Sequence, residues 1–365
     1  MRNKQSYGLT HLTDNPYPGE PMKITTSLLL WLVLAASVLI PAVAYGRDLG
    51  DLSIYDFAKG AVVNITSNRF REVVIDATPK QTSFFTITRL DSQKLVIRER
   101  ADSGTILSAS ELPFFVSGYA GRNWIKLSPD HRQAVFYNDA TKGLRLITLA
   151  NQQQRDLRTN IFHSPVDLLL LNWVAPDTVL LLKTEAGTGE KGSSEIMKIN
   201  VNSGETQTWR RPLEFGGGHA LSQSCKSLAV IEEPLGQRVV VLDVSTMEMV
   251  KELPPVRIDQ FIGNVCWLDD DKRLAIWDAN DEVFCYTLST GEMKRLTPKG
   301  GRGHRLCGAV GKYVVLGKES GGETGRRTFA LHDVDTGKSI DVKADLNGAV
   351  YGIASDTKFL MEVGY

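Results

Sequence analysis

The chain has 365 residues, of which 42% are hydrophobic and 23% are charged, so its composition is that of a folded protein with a core. Lys and Arg total 42, and Asp and Glu also total 42, which gives a formal net charge of zero. This balance argues against nucleic acid as the main partner, because nucleic-acid-binding domains usually carry a basic face. The four cysteines form no CxxC or CxxCH motif, so zinc-ribbon, thioredoxin-type and c-type haem sites have no support.

The N-terminus predicts export. Residues 1–21 are polar and rich in turn formers, which indicates a flexible extension or a start codon assigned too early. Residues 22–44 contain Lys23, an apolar run, a helix-breaking Pro41 and an A-x-A cleavage signal, so we expect a signal peptide cut before Tyr45. An uncleaved membrane anchor is the alternative, although the apolar run is shorter than the roughly 20 residues of a spanning helix. The predicted location is periplasmic or extracellular, with membrane attachment only through this segment.

From residue 51 to the end, the sequence repeats a strand, a polar turn and a second strand. The turn recurs as "VNSGET", "VSTMEM", "LSTGEM" and "VDTGKS", and the residue that needs a permissive backbone is most often glycine. A second hairpin precedes most copies, with turns such as "LSPDH" and "LDDDK". Each unit therefore has four strands, A to D, with one turn between A and B and another between C and D.

The period of the C–D turn identifies the architecture. The turns are centred on Gly60, Gly104, Gln152, Gly204, Met247, Gly291 and Gly337. Their spacings are 44, 48, 52, 43, 44 and 46 residues. A four-stranded unit that recurs every 40–50 residues is typical of a β-propeller blade.

The two ends of the repeat region complete one another. Residues 51–66 supply strands C and D without a preceding hairpin, and residues 350–365 supply strands A and B without a following one. Pairing them would close the ring and cover two open sheet edges. We predict an all-β fold, a seven-bladed β-propeller of four-stranded antiparallel blades with one blade completed by strands from both termini. An eight-bladed ring and a pair of β-sandwiches are the alternatives.

The turns of the repeat resemble those of exported WD-repeat-like propellers, especially the propeller domain of TolB. The resemblance is carried by the SPD and SDTK turns between strands A and B and by the SGE, TGE and TGK turns between strands C and D. The resemblance covers residues 51–365 and implies the fold. It implies little about function, because propellers support many functions. The Trp-Asp ending of strand C in WD repeats is absent, and Trp277-Asp278 falls at the end of a predicted strand B.

In propellers, the D–A and B–C connections share one face, which is the usual binding surface. Two D–A connections are alike, "EFGGGHAL" and "PKGGRGHRL", and both place a histidine at the entry to strand A. The candidate residues in D–A connections are His163, His219, Arg302, His304 and Arg305. Histidines at a channel mouth can bind a metal or act as a general base, but the glycine–histidine step is more often structural in WD repeats.

Two B–C connections are long, polar and glycine-rich, residues 184–195 and 318–329. They fall in the third and sixth complete units and so are expected on roughly opposite sides of the ring. Loops of this kind on a rigid scaffold often carry binding residues, although they can also be solvated insertions. The candidates here are Glu190, Lys191, Glu323, Arg326 and Arg327.

The sequence has no Ser-His-Asp order, HExxH motif or paired catalytic carboxylates, and it predicts no cofactor and no metal. Cys266 and Cys307 fall near strand A of neighbouring units, where either a disulfide or two unbridged thiols can be expected, the latter being commoner in strands. We expect a protein-binding or scaffold module whose partner is another exported or membrane protein. The alternative is an enzyme at the channel mouth, such as a metal-assisted hydrolase or a lactonase.

Overall fold

The computed structural model describes residues 51–56, 59–66, 72–76, 83–89, 95–112, 124–163, 167–184, 194–211, 218–232, 238–254, 262–268, 271–278, 280–298, 304–319, 327–342, 350–355 and 358–363. The predicted extension and signal segment, residues 1–44, lie outside these ranges. Within them the chain forms strands and turns but no α-helix, and hence none that is long and apolar enough to cross a membrane.

The described residues form seven four-stranded antiparallel sheets, which we call blades and number along the chain. Blade 1 contains β3 (Glu72–Asp76), β4 (Ser83–Arg89), β5 (Leu95–Ala101) and β6 (Ile106–Leu112). Blade 2 contains β7 (Ile125–Leu127), β8 (Gln133–Asn138), β9 (Gly143–Thr148) and β10 (Gln154–Arg158). Blade 3 contains β11 (Leu168–Ala175), β12 (Thr178–Thr184), β13 (Ser194–Asn200) and β14 (Thr206–Arg211).

Blades 4 to 6 repeat the same order of strands. Blade 4 contains β15 (His219–Leu221), β16 (Ser227–Glu232), β17 (Arg238–Asp243) and β18 (Met249–Glu252). Blade 5 contains β19 (Ile262–Leu268), β20 (Arg273–Asp278), β21 (Val283–Thr287) and β22 (Met293–Arg295). Blade 6 contains β23 (His304–Val310), β24 (Tyr313–Glu319), β25 (Arg327–Asp333) and β26 (Ser339–Val342).

Blade 7 joins the two ends of the repeat region, as predicted. It contains β27 (Val350–Ser355) and β28 (Lys358–Val363), followed in space by β1 (Asp51–Asp56) and β2 (Ala61–Asn64). Strands β1 and β28 are antiparallel, with Ile54 opposite Leu360. Backbone hydrogen bonds thus hold the ends together where no covalent link exists.

Hydrophobic cores lie between neighbouring blades and complete the ring. Separate clusters of buried side chains join blades 1 and 2, 2 and 3, 3 and 4, 4 and 5, and 5 and 6. A further cluster joins blades 6, 7 and 1, with Phe329, Leu52 and Phe84 among its members. Middle strands such as β16 are buried on both sides, whereas the outer strand β6 is exposed along all but its last residue. This arrangement confirms the predicted seven-bladed propeller.

All seven predicted C–D turn centres have positive φ, from 59° at Gly60 to 86° at Gly104. Even Gln152 and Met247, which are not glycines, adopt φ of 59°. Side chains at the start of the turn stabilise it: Asp243 Oδ1 accepts the backbone N–H groups of Ser245 at 2.7 Å and Thr246 at 3.1 Å.

The A–B and C–D turns lie at the same end of each blade. The backbone N–H of Val244, at the start of a C–D turn, donates to Lys226 O beside the A–B turn of the same blade at 2.8 Å. Equivalent bonds join Leu288 to Lys272 and Val334 to Lys312. The B–C and D–A connections are therefore at the opposite end, which we call the connection face.

Candidate functional site

Two histidines predicted at the connection face lie at the entry to innermost strands. His219 is the first residue of β15 and His304 is the first residue of β23, and both are partly buried. The prediction of their position in the chain is confirmed. Blade 5 stands between these two strands in the ring, so the histidines belong to blades that are not neighbours.

The imidazole of His219 bridges two blades. Its Nε2 lies 3.1 Å from the backbone oxygen of Leu169, in β11 of blade 3. Because a carbonyl oxygen only accepts, Nε2 carries the proton in this bond. The ring of His219 therefore takes part in joining blades 3 and 4.

His163 differs from the other two histidines because its side chain is exposed. It lies in the connection from β10 to β11, as predicted, and its backbone N–H donates to Asp167 Oδ2 at 2.9 Å. The carboxylate of Asp167 is almost fully buried, so it fixes the path of the chain as it enters blade 3. The contact involves the backbone of His163 and leaves its imidazole at the surface.

Arg305, next to His304, is exposed and contacts an aromatic ring of the neighbouring blade. Its Cζ lies 5.8 Å from the ring centroid of Trp277, the penultimate residue of β20. This distance is within the range of a cation–π interaction. Arg305 is thus a predicted candidate whose side chain the structure describes as exposed on the connection face.

The remaining candidates fall mainly in the long connections. Glu190, Lys191, Arg302, Glu323 and Arg326 lie outside the described residues. Arg327 is the first residue of β25 and is paired with Glu319, and only its backbone position is described. The strands that flank these connections are the second and third of blades 3 and 6, as predicted.

Side chains on the innermost strands form hydrogen bonds between blades that sequence reasoning missed. Trp173 Nε1 donates to Lys126 O at 3.2 Å, and Trp267 Nε1 donates to Ala220 O at 2.8 Å. Each bond runs from one blade to the innermost strand of the preceding blade. Lys126 Nζ does the same, donating to Ile75 O at 3.1 Å. Each tryptophan lies 47 residues after its acceptor, which is about the length of one repeat. This separation is the signal in the sequence that could have indicated a bond between equivalent strands of neighbouring blades.

Blade 1 contains a buried ionic network that sequence reasoning also missed. Glu72 accepts from Arg100 through both carboxylate oxygens, at 2.6 Å from Nε and 3.0 Å from Nη2. Thr86 Oγ1 donates to the same carboxylate, and Arg98 lies 3.3 Å from it. The side chains of Glu72 and Arg100 are 1% and 6% exposed, so the pair is inside the protein. Val74 is paired in register with Thr86, and Phe84 is paired with Arg100. Because Val74 and Phe84 both pack in the core that blade 1 shares with blades 6 and 7, the network lies on the side of blade 1 that closes the ring.

Carboxylates near the connection face are held by cations of their own blade. Glu195 contacts Lys183 at 3.0 Å and Arg210 at 2.9 Å. Burial opposes ionisation of Glu195, but hydrogen bonds from both cations outweigh it and lower the pKa of the carboxyl. In blade 4, Glu232 contacts Arg238 at 2.6 Å. In both blades the carboxylate is buried and its arginine is exposed, at 73% for Arg210 and 47% for Arg238.

The residues that the structure describes contain no group of three His, Cys, Asp or Glu side chains placed to hold a metal ion. All four cysteines are described, and no disulfide joins any two of them. Cys266 packs on the core between blades 5 and 6, whereas Cys307 packs on the core that blade 6 shares with blades 7 and 1. These two thiols face opposite sides of blade 6, which explains why the disulfide alternative is wrong.

No protein-family model matches the sequence, and no curated protein matches it. Among solved structures, the chain is similar to oligogalacturonate lyase in complex with manganese, with a TM-score of 0.58, 11% identity and coverage of 87% of this chain and 98% of that one. It is also similar to the β-propeller domain of Cps50 (Swd1) from Myceliophteria thermophila, with a TM-score of 0.50, 10% identity and coverage of 80% and 98%. At such identities the likeness shows the fold alone, so the propeller part of the resemblance is confirmed and export stays a prediction.

Proposed function

We propose that this protein is an exported β-propeller that binds another exported or membrane protein and serves as a scaffold module. The observation that carries the proposal is the contact of His219, whose Nε2 is bonded to the backbone of the neighbouring blade. One of the two histidines that begin an innermost strand on the connection face therefore contributes to the architecture. The exposed groups described on that face are the kind found in the polar rim of a protein interface.

The alternative, a metal-assisted hydrolase or lactonase, requires His219 and His304 to converge with an acidic residue near the axis. Their strands, β15 and β23, are separated by blade 5. A manganese-bound lyase shares the propeller fold, but 11% identity does not carry its chemistry to this chain. The enzyme is therefore kept as the alternative that the capture experiment separates from the scaffold.

The test is affinity capture of the mature chain, residues 45–365, from the exported fraction of its own cells, with mass spectrometry of the bound proteins. Two variants accompany it. One shortens the connections at residues 185–193 and 320–326. The other, Glu248→Lys, changes an exposed residue of the C–D turn in blade 4, at the opposite end of the blades. We expect a partner that is lost with the first variant and kept with the second.

If wild-type and shortened chains capture the same proteins, the proposed binding face is wrong and the scaffold role stands. If neither chain captures a protein, the scaffold role is refuted. A small ligand or a catalytic role is then favoured, and His219 and His304 are the next residues to replace. Export is tested separately, by N-terminal sequencing of the protein from the exported fraction. A chain that begins at Tyr45 supports the cleaved signal peptide, and a chain that retains residues 22–44 supports the membrane anchor.

A further inference from the structure

We propose that two copies of this protein pair edge to edge through β6, the outer strand of blade 1, and form a dimer about a twofold axis. The inference goes beyond the proposed function, because it concerns the outer rim of the ring and not the connection face. It is drawn from three features of the described residues: the exposure and composition of β6, the direction of its backbone groups and the position of its single charge.

Strand β6 differs from the other outer strands of the propeller. It has seven residues, whereas the other outer strands of the described blades have three to six. It is exposed along all but its last residue, and the side chains of Ile106 and Leu107 are 47% and 57% exposed. The outer strands next in length, β10 and β14, carry two arginines each, while β6 contains no Lys, Arg or Pro. Proteins usually protect an open sheet edge with charges, proline or a short strand, so the edge of β6 is left open for pairing.

The backbone groups of Ala109 face away from the blade. Strand β6 is the last strand of its sheet and pairs with β5, with a bulge at Leu107 and a regular register from Ser108 to Leu112. The backbone oxygen of Glu111 accepts a hydrogen bond from Gln152 Nε2 of blade 2 at 3.1 Å, so this oxygen points away from β5. Residues two apart along an antiparallel strand direct their backbone groups the same way. The N–H and C=O of Ala109 therefore lie on the open edge.

A second copy of β6 complements this edge in both hydrogen bonding and charge. Antiparallel pairing of a strand with its own copy has a twofold axis, and such an interface closes as a dimer. With the axis at Ala109, the two copies of Ala109 exchange both N–H···O bonds, and Ser108 lies opposite Ser110 of the second copy, where hydroxyl groups can hydrogen-bond across the strands. The charged side chain of β6 is Glu111. Its two copies are then four residues apart along the pair, or about 14 Å, which exceeds the screening length of about 10 Å at 0.1 M salt.

The test is sedimentation equilibrium of the mature chain, residues 45–365, over a range of concentrations. A seven-residue strand is about 24 Å long, so the contact is smaller than that of permanent dimers, and we expect a monomer–dimer equilibrium in the micromolar range. Ala109→Pro removes the outward N–H and leaves the bonds to β5 in place, since proline is tolerated on edge strands. It should raise the dissociation constant at least about tenfold, because both copies lose a bond.

The matched control is Thr208→Pro in β14. Asn200 N–H donates to Glu205 O, and the register of β13 with β14 is regular, so bonded pairs alternate along the two strands and the N–H of Thr208 also faces outward. The control thus removes an equivalent N–H from an outer strand that carries arginines, and it should dissociate like the wild type. Circular dichroism and thermal melting show whether each variant is folded.

Hydrogen exchange of the wild type gives a second measurement that needs no variant. Exchange of the Ala109 amide should slow as the protein concentration rises through the dissociation constant, whereas exchange of the Thr208 amide should stay the same. The inference is overturned if the wild type stays monomeric well above micromolar concentrations, if folded Ala109→Pro dissociates like the wild type, or if a dimer forms without protection of Ala109. A monomeric wild type that captures its partner refutes the dimer and leaves the scaffold role standing.

Discussion

Replacing Glu72 by glutamine tests whether the buried ionic network stabilises ring closure. The substitution keeps the shape of the side chain and removes its charge. Arg100, which is 6% exposed, then remains as a cation without the carboxylate that lies 2.6 Å from its Nε in the wild type. Breaking a buried ion pair by removing one partner costs about 3–5 kcal/mol. Since glutamine still accepts one hydrogen bond, we expect about 3 kcal/mol. For a domain of about 300 residues this corresponds to a fall in Tm of about 5 °C.

The matched control is Glu252→Gln, in which the same change is made in a pair with Arg238 whose members are both 47% exposed. Exposed pairs contribute about 0–1 kcal/mol, so the control should unfold almost like the wild type. The assay is urea unfolding followed by tryptophan fluorescence, with thermal melting by circular dichroism. Equal losses for the two variants would refute the reasoning. So would a double variant, Glu72→Gln with Arg100→Met, that is less stable than Glu72→Gln alone, because removing the stranded cation should recover stability.

Three further predictions concern stability. Trp173→Phe removes the hydrogen bond to Lys126 O and should lower the free energy of unfolding by about 1–2 kcal/mol. The measurement is urea unfolding monitored by circular dichroism. An unchanged unfolding midpoint would contradict the role of this bond in joining blades 2 and 3. His332 is buried, and its burial together with Lys294 lowers the pKa of the imidazole, so stability should be complete above about pH 6.5 and decrease as the pH falls below it. His332→Gln should remove that decrease, as seen in unfolding titrations at several pH values. Leu180→Ala, in the core between blades 3 and 4, should lower the free energy of unfolding by about 2–5 kcal/mol. Leu107→Ala, at a residue that is 57% exposed, should change it by no more than about 0.5 kcal/mol. Similar unfolding midpoints for the two variants would refute the assigned core.

The part of the architecture that depends on local chemistry could be predicted from the sequence. A turn with positive φ selects glycine or a short polar loop, so the turns at Gly204, Gly291 and Gly337 mark the blades along the chain. The same spacing then located the centres at Gln152 and Met247, which have no glycine, and their φ values agree with the prediction. The pairing of β1 with β28 also followed from the sequence, because the two incomplete units supply complementary hairpins.

The candidate site was predicted only as far as chain position allows. The sequence placed His219 and His304 at the start of innermost strands, and the structure agrees. It could not show that the Nε2 atom of His219 would contact Leu169, because the partner lies 50 residues earlier in the neighbouring blade. The contact between Arg305 and Trp277 has the same origin, since the two residues lie in neighbouring blades and meet only when blade 6 packs on blade 5.

What the sequence determined by itself is therefore the repeat: strand order, turn positions, the number of blades and the completion of the last blade by both ends. These follow from hydrophobic alternation and turn conformation, which act over a few residues. Only the tertiary structure decided which side chains meet between blades, such as Trp267 with Ala220 O, and which face Cys266 and Cys307 occupy. It also decided that Glu72 and Arg100 form a buried pair, because the burial of a charge depends on the neighbouring blade that covers it and not on the strand that carries it.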